Sequence, residues 1–146
     1  MLKVKKKKLA ISFVLLISSI QTMGQDINPN SCISNNPKLG DSAYWANNSI
    51  KLFEQKKYED AIESVDACFN QWAPEAVELQ KTFNKENIKL PPSGRVTRIE
   101  KNRIHQNYVI NDVSMALWVK AVSLEALGKI EYSKKIYSYC IFLTHG

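Results

Sequence analysis

Glycine is scarce in this chain. Five occur among 146 residues, and none belongs to a loop of the G-x-x-x-x-G-K or G-x-G-x-x-G kind, so a phosphate-cradling backbone is not expected. Histidine is scarcer, with only His105 and His145. Neither has a cysteine or second histidine at two to five residues except Cys140, five residues before His145, and there is no C-x-x-C or H-x-x-x-H pair. A zinc site is therefore not expected, and no residue pattern calls for another metal or a cofactor. G-x-S-x-G and H-E-x-x-H are both missing, which removes the most legible hydrolase signatures. No segment alternates apolar and polar residues over a strand's length, so the expected class is all-α. Beyond the N-terminal region, no second apolar stretch suggests a membrane segment.

What is present begins with a charge anomaly. The chain carries 20 basic and 14 acidic residues, but Lys3 and Lys5 to Lys8 crowd the first eight positions. "LAISFVLLISSI", Leu9 to Ile20, follows without a charge, and then "QTMGQ". A basic start, an apolar run and small residues form the pattern of a secretory signal peptide over 1–24, with cleavage expected after Gly24. These twelve uncharged residues rise only ~18 Å as a helix against a hydrocarbon core of ~30 Å, which favours a cleaved signal over an anchor. Export to the periplasm or beyond follows as an expectation, with membrane contact only through the uncleaved signal. Removing those five lysines leaves 15 basic against 14 acidic residues. The near-neutral remainder gives no general attraction for nucleic acid.

Residues 25–40 are rich in Asn, Ser and Pro and predict an extended tail. From Asp41 the apolar period becomes helical, and 41–146 reads as one helical domain. Trp45, Ser49 and Leu52 share one helix face. Tyr58, Ala61, Ile62, Val65, Cys68 and Phe69 make a second stripe after the break at "EQKK", so the two helices form an antiparallel pair. Pro74 suits the first turn of a further helix. "KLPPSG", Lys89 to Gly94, interrupts the pattern, and Thr97 with Glu100 forms a capping box for another short helix to about Gln106. Asn111 or Asp112 is the expected cap of a helix running to about Leu127, Gly128 its stop, and Glu131 to Leu143 the last helix. The order is pair, two linker helices around a proline loop, pair.

The second pair echoes the first. "LFEQKKYEDAIESVDAC" at Leu52 to Cys68 returns as "LEALGKIEYSKKIYSYC" at Leu124 to Cys140, 72 residues later. With Trp45, Leu52, Tyr58, Ala61, Val65, Cys68 and Pro74 in one copy, and Leu117, Ala121, Leu124, Gly128, Ile130, Ser133, Tyr137 and Cys140 in the other, the phrases resemble tetratricopeptide repeats. Departures from that pattern include Ser49 at a usual glycine or alanine, Asn48 at a usual core position and Lys56 at the turn glycine. The spacing also differs from the family's 34-residue period. The resemblance implies stacked helix pairs, no enzymatic activity and a surface that grips a peptide or helix of a protein partner. One helix pair cannot bury its own apolar face, which is the physical reason for writing the phrase twice.

In that register Ala46, Ile50, Phe53, Met115, Trp118 and Val122 point away from each first helix's own partner. They are the candidate groove, with Trp118 the candidate anchor. The alternative is that the linker helices cover this side. The stretches "KLPPSGRV" and "NDVSMALW" resemble segments of small exported accessory factors of envelope or polysaccharide metabolism, which implies a bound glycan as the alternative ligand. Three cysteines allow one disulfide. Antiparallel helices bring the tail near the end of the second helix, which favours Cys32 with Cys68, and equivalent positions in stacked units lie ~10 Å apart, too far for Cys68 with Cys140. A chain without a disulfide, or with another pairing, remains open. Catalytic use of a cysteine or of carboxylates such as Glu59 and Asp60 is the weaker rival, because those carboxylates lie on solvated helix faces. The run Arg95, Arg98, Lys101 and Arg103 is read the same way.

Overall fold

A computed structural model describes residues 32–92 and 94–146, which form five helices and no strand. The expected signal peptide, its cleavage point and the tail as far as Ser31 lie outside the described residues. The helices are α1 (Asp41–Glu54), α2 (Tyr58–Lys85), α3 (Arg98–Gln106), α4 (Tyr108–Ala126) and α5 (Ile130–Phe142). The all-α class holds. No helix among the described residues is long and apolar enough to cross a membrane.

The echo in the sequence is also an echo in the backbone. After α1, the N–H groups of Gln55, Lys56 and Lys57 donate to the carbonyls of Lys51, Phe53 and Leu52 at 3.0, 2.8 and 3.0 Å. After α4, those of Leu127, Gly128 and Lys129 donate to Ser123, Glu125 and Leu124 at 3.1, 2.9 and 2.8 Å, each donor and acceptor shifted by the same interval. This network satisfies the last carbonyls of a helix and needs a left-handed residue at its centre. Lys56 has φ of 60° there and Gly128 has 73°. Only the second copy meets that demand with the residue that adopts it freely.

α4 is the central element and packs on α1, α2 and α5. It runs parallel to α1, with Ser42 Oγ donating to Asp112 Oδ2 at 2.6 Å near their starts and Phe53 against the edge of Trp118 further along. It runs antiparallel to α5, whose Tyr137 hydroxyl donates to Glu125 at 3.2 Å, while Gly146 lies so close to Ile110 that a Cβ there would sit 2.6 Å from its carbonyl oxygen. Lys120 and Asp66 tie it to α2 as an ion pair. A helix with neighbours on three sides is apolar over most of its circumference. Accordingly, Val109, Ile110, Val113, Ala116 and Leu117 join Trp45, Val65, Cys68, Ala73 and Ala76 in one core. Trp45 is fully buried, and its Nε1 donates to Ser64 O at 2.8 Å.

Two expectations need correction. The chain does not break before Pro74, which lies inside the 28-residue α2. A proline there removes one hydrogen bond from the helix ladder. Ala73 and Ala76, on either side, are both buried in the core under α4, and a break would open that contact. The first of the two expected linker helices is thus the second half of α2. Its far end holds Gln80, whose Oε1 accepts from His145 N–H at 3.1 Å and whose Nε2 lies 2.9 Å from His145 Nδ1. Second, α4 starts at Tyr108, before Asn111 and Asp112. Asp112 bonds Ser42 instead of capping its own helix, and burial raises its carboxyl above the ordinary value against the opposing pull of that bond. As expected, α3 has its capping box, with Thr97 Oγ1 accepting from Glu100 N–H at 3.2 Å and Glu100 accepting from Thr97 N–H at 2.8 Å. The Thr97 backbone bond holds the Glu100 carboxyl below its usual range. No residue of α3 is buried, so it is not a cover over the core.

Candidate functional site

The six candidate groove residues divide. Ala46 is only 4 % exposed and offers no surface to a ligand. Its burial follows from the parallel contact of α1 with α4, which the sequence register does not specify. Ile50 and Phe53 are half-buried and pack against Leu52, Ala61 and Val119. Val122 is half-buried, whereas Met115 and Trp118 are each 43 % exposed. Phe53 bridges the two copies, with ring centroids 5.8 Å from Tyr58 and 6.0 Å from Trp118.

Met115 and Trp118 line an open cleft of about 480 Å³ between α4 and the end of α5, together with Asn111, Ser114, Cys140 and Gly146. Four of these have counterparts at the repeat interval. Ser114, Met115, Trp118 and Cys140 correspond to Ser42, Ala43, Ala46 and Cys68. In the first copy that face is closed: Ser42, Ala46 and Cys68 are buried, Ser42 bonds α4, and Cys68 is joined to Cys32. In the second copy it is open. Where the first copy has alanines that let α4 approach, the second has a methionine and a tryptophan.

Cys32 and Cys68 form a disulfide with Cα atoms 5.5 Å apart. Cys140 is a free, half-buried thiol, and burial raises it above its ordinary value. A thiol held protonated is a poor nucleophile. His145 lies within hydrogen-bonding distance of Gln80, Thr144 and the Ile88 carbonyl (Nε2 to O 3.1 Å), so its ring is engaged in holding the chain's end. Among the described residues no three His, Cys, Asp or Glu side chains converge as metal ligands would.

Two surfaces escape the sequence reading. An apolar groove of about 280 Å³ runs between α2 and α5 over α4, with Phe69, Val77, Leu117 and Phe142 among its walls. It depends on two helices meeting a third, which helical periodicity does not specify. The other is a polar cavity under the segment before α1, and it includes Asn48. Its signal was visible as a polar residue at a position where the repeat pattern wants an apolar one.

Compared with protein-family models, with curated proteins and with solved structures, the chain finds no match in any of the three.

Proposed function

We propose that this chain is an exported, non-enzymatic binding module of tetratricopeptide-like type, and that its open α4–α5 cleft takes an amphipathic helix of an envelope protein. The observation that carries this reading is the correspondence of the two clefts. The α1–α2 cleft is filled by a helix, α4, while the equivalent α4–α5 cleft leaves Met115 and Trp118 each 43 % exposed. A surface of the same construction suits an occupant of the same kind, and tryptophan is the side chain most enriched at binding hot spots. The raised Cys140 thiol and the engaged His145 ring support a non-enzymatic role. Export rests on the N-terminal pattern alone.

The test is capture of an envelope partner on the immobilised chain, repeated with Trp118→Ala. Losing an aromatic anchor costs about 2 kcal/mol or more, roughly 30-fold in affinity. A partner held by the parent chain and lost by a normally folded Trp118→Ala supports the reading. Capture indifferent to Trp118 rejects it.

A further inference from the structure

We propose that the helix held by the α4–α5 cleft belongs to a different protein and carries a hydrogen-bond acceptor, Asp or Asn, near its start and a Lys or Arg six residues later. This rests on the reading of that cleft as a helix-binding site and adds the chemistry of its occupant.

The first copy contains a template for such an occupant, because α4 packs on both α1 and α2. Two contacts with α1 set its register. Ser42 Oγ donates to Asp112 Oδ2 at 2.6 Å, and Phe53 meets Trp118 edge-on with ring centroids 6.0 Å apart. The two residues contacted on α4 are six positions apart. The contact with α2 includes the ion pair of Asp66 with Lys120, eight positions after Asp112.

The 72-residue interval carries each contact to the open cleft. Ser114 stands for Ser42 and lines the cleft, and its hydroxyl has no hydrogen-bond partner among the described residues. An acceptor near the occupant's start takes that donor as Asp112 takes Ser42. Glu125 stands for Phe53, so a carboxylate replaces an aromatic ring. It is exposed and accepts from the Tyr137 hydroxyl at 3.2 Å, and among the described residues no Lys or Arg pairs with it. A Lys or Arg at the place of Trp118 complements it. Ser138 stands for Asp66, so no cation is needed at the place of Lys120. The spacing is therefore six and not eight. An acidic start with a base further along also suits the helix dipole. Met115 and Trp118 stand at the places of Ala43 and Ala46, so the occupant presents small residues to them.

A second copy of this chain does not supply that helix. In α1 the counterparts of Asp112 and Trp118 are Gly40 and Ala46, neither an acceptor side chain nor a cation. Tyr44, Asn48 and Lys51 of α1 are the counterparts of Ala116, Lys120 and Ser123 on α4, and they share a cavity with the segment Asn35–Leu39. That side of α1 already has a neighbour. Nor does α3, the helix with no buried residue, carry an acceptor followed six residues later by Lys or Arg. The occupant is therefore sought in another protein.

The experiment selects from a displayed library of amphipathic helices, with a constant apolar stripe and randomised positions elsewhere. Selection is run on the immobilised parent chain and on three variants that keep its helicity. Helices lost on Trp118→Ala are expected, enriched in Asp or Asn followed six residues later by Lys or Arg. Glu125→Lys should turn the second preference to Asp or Glu, and Ser114→Ala should erase the first. For a selected helix, reversing the charge of its second residue should weaken binding to the parent by about threefold or more. Replacing its acceptor by Ala should weaken it about fivefold. Helices that require Trp118 but lack either preference overturn this inference and leave the binding-module reading intact. Finding no helix that requires Trp118 overturns both. Self-association of the parent chain that Trp118→Ala removes makes a second copy the occupant and overturns the choice of partner.

Discussion

Two tryptophans sit on adjoining helices and have opposite roles. Trp45 is fully buried with its Nε1 bonded to Ser64 O, so Trp45→Ala should cost about 3–5 kcal/mol and fall far below the parent chain in a thermal melt. Trp118 contacts the edge of Phe53 and keeps 43 % of its surface exposed. Trp118→Ala should lower stability by clearly less than Trp45→Ala, because only part of the Trp118 side chain leaves water on folding. A core-sized loss at Trp118 would contradict the open cleft. Asp112 gives a prediction with a sign in pH. Burial raises its folded-state value, so its native contribution is favourable below the ordinary carboxyl range and is lost as pH rises through the raised value. Asp112→Asn, which keeps an acceptor for Ser42, should raise the melting temperature at neutral pH. That advantage should shrink below pH ~4, where the unfolded carboxyl also protonates.

At the scale of elements, the paired turns make a controlled comparison. Lys56 and Gly128 occupy the same left-handed position, with φ of 60° and 73°. A Cβ at Gly128 would meet nothing within 4 Å, so Gly128→Ala should lose stability through the backbone alone, by about 1 kcal/mol. Lys56→Gly should gain some tenths of that. Denaturant midpoints of the two variants check both signs. Pro74 tests the continuity of α2. If it lies inside one helix, Pro74→Ala restores a ladder hydrogen bond and should stabilise by about 1–3 kcal/mol, whereas at the first turn of a new helix the change would be close to neutral. The capping box of α3 should act locally. Thr97→Ala should speed amide exchange within α3 and leave the global melt unchanged, since α3 contributes no buried residue.

For the whole molecule, the Cys32–Cys68 bridge closes a separation of 36 residues and should stabilise the fold by about 3–4 kcal/mol in the chain-entropy account. Comparing melts with and without reductant measures it. The bridge pins the segment before α1 to α2, and His145 pins the chain's end to α2 through Gln80. With α4 in the middle, α2 is thus the element to which both flanking segments are fastened.

Periodicity, capping residues and a repeated phrase were enough to read the all-α class, most helix limits, the capping box at Thr97 and the two equivalent turns. These depend on residues within a few positions of one another, where backbone sterics and local hydrogen bonds decide. The favoured Cys32–Cys68 pairing was accessible because antiparallel helices constrain which ends meet. Pro74 was misread because its local preference for a first turn is outweighed by the packing of Ala73 and Ala76 beneath α4, a partner more than 30 residues away in the chain. Asp112 was misread for the same reason, its acceptor being claimed by Ser42 on α1. Which side of Trp118 is open, why Ala46 is closed, and how Asn48 comes to lie unpaired beneath the Asn35–Leu39 segment were settled only when three helices and that segment met. Burial is a property of the assembled neighbours, and no single helix carries it in its own sequence.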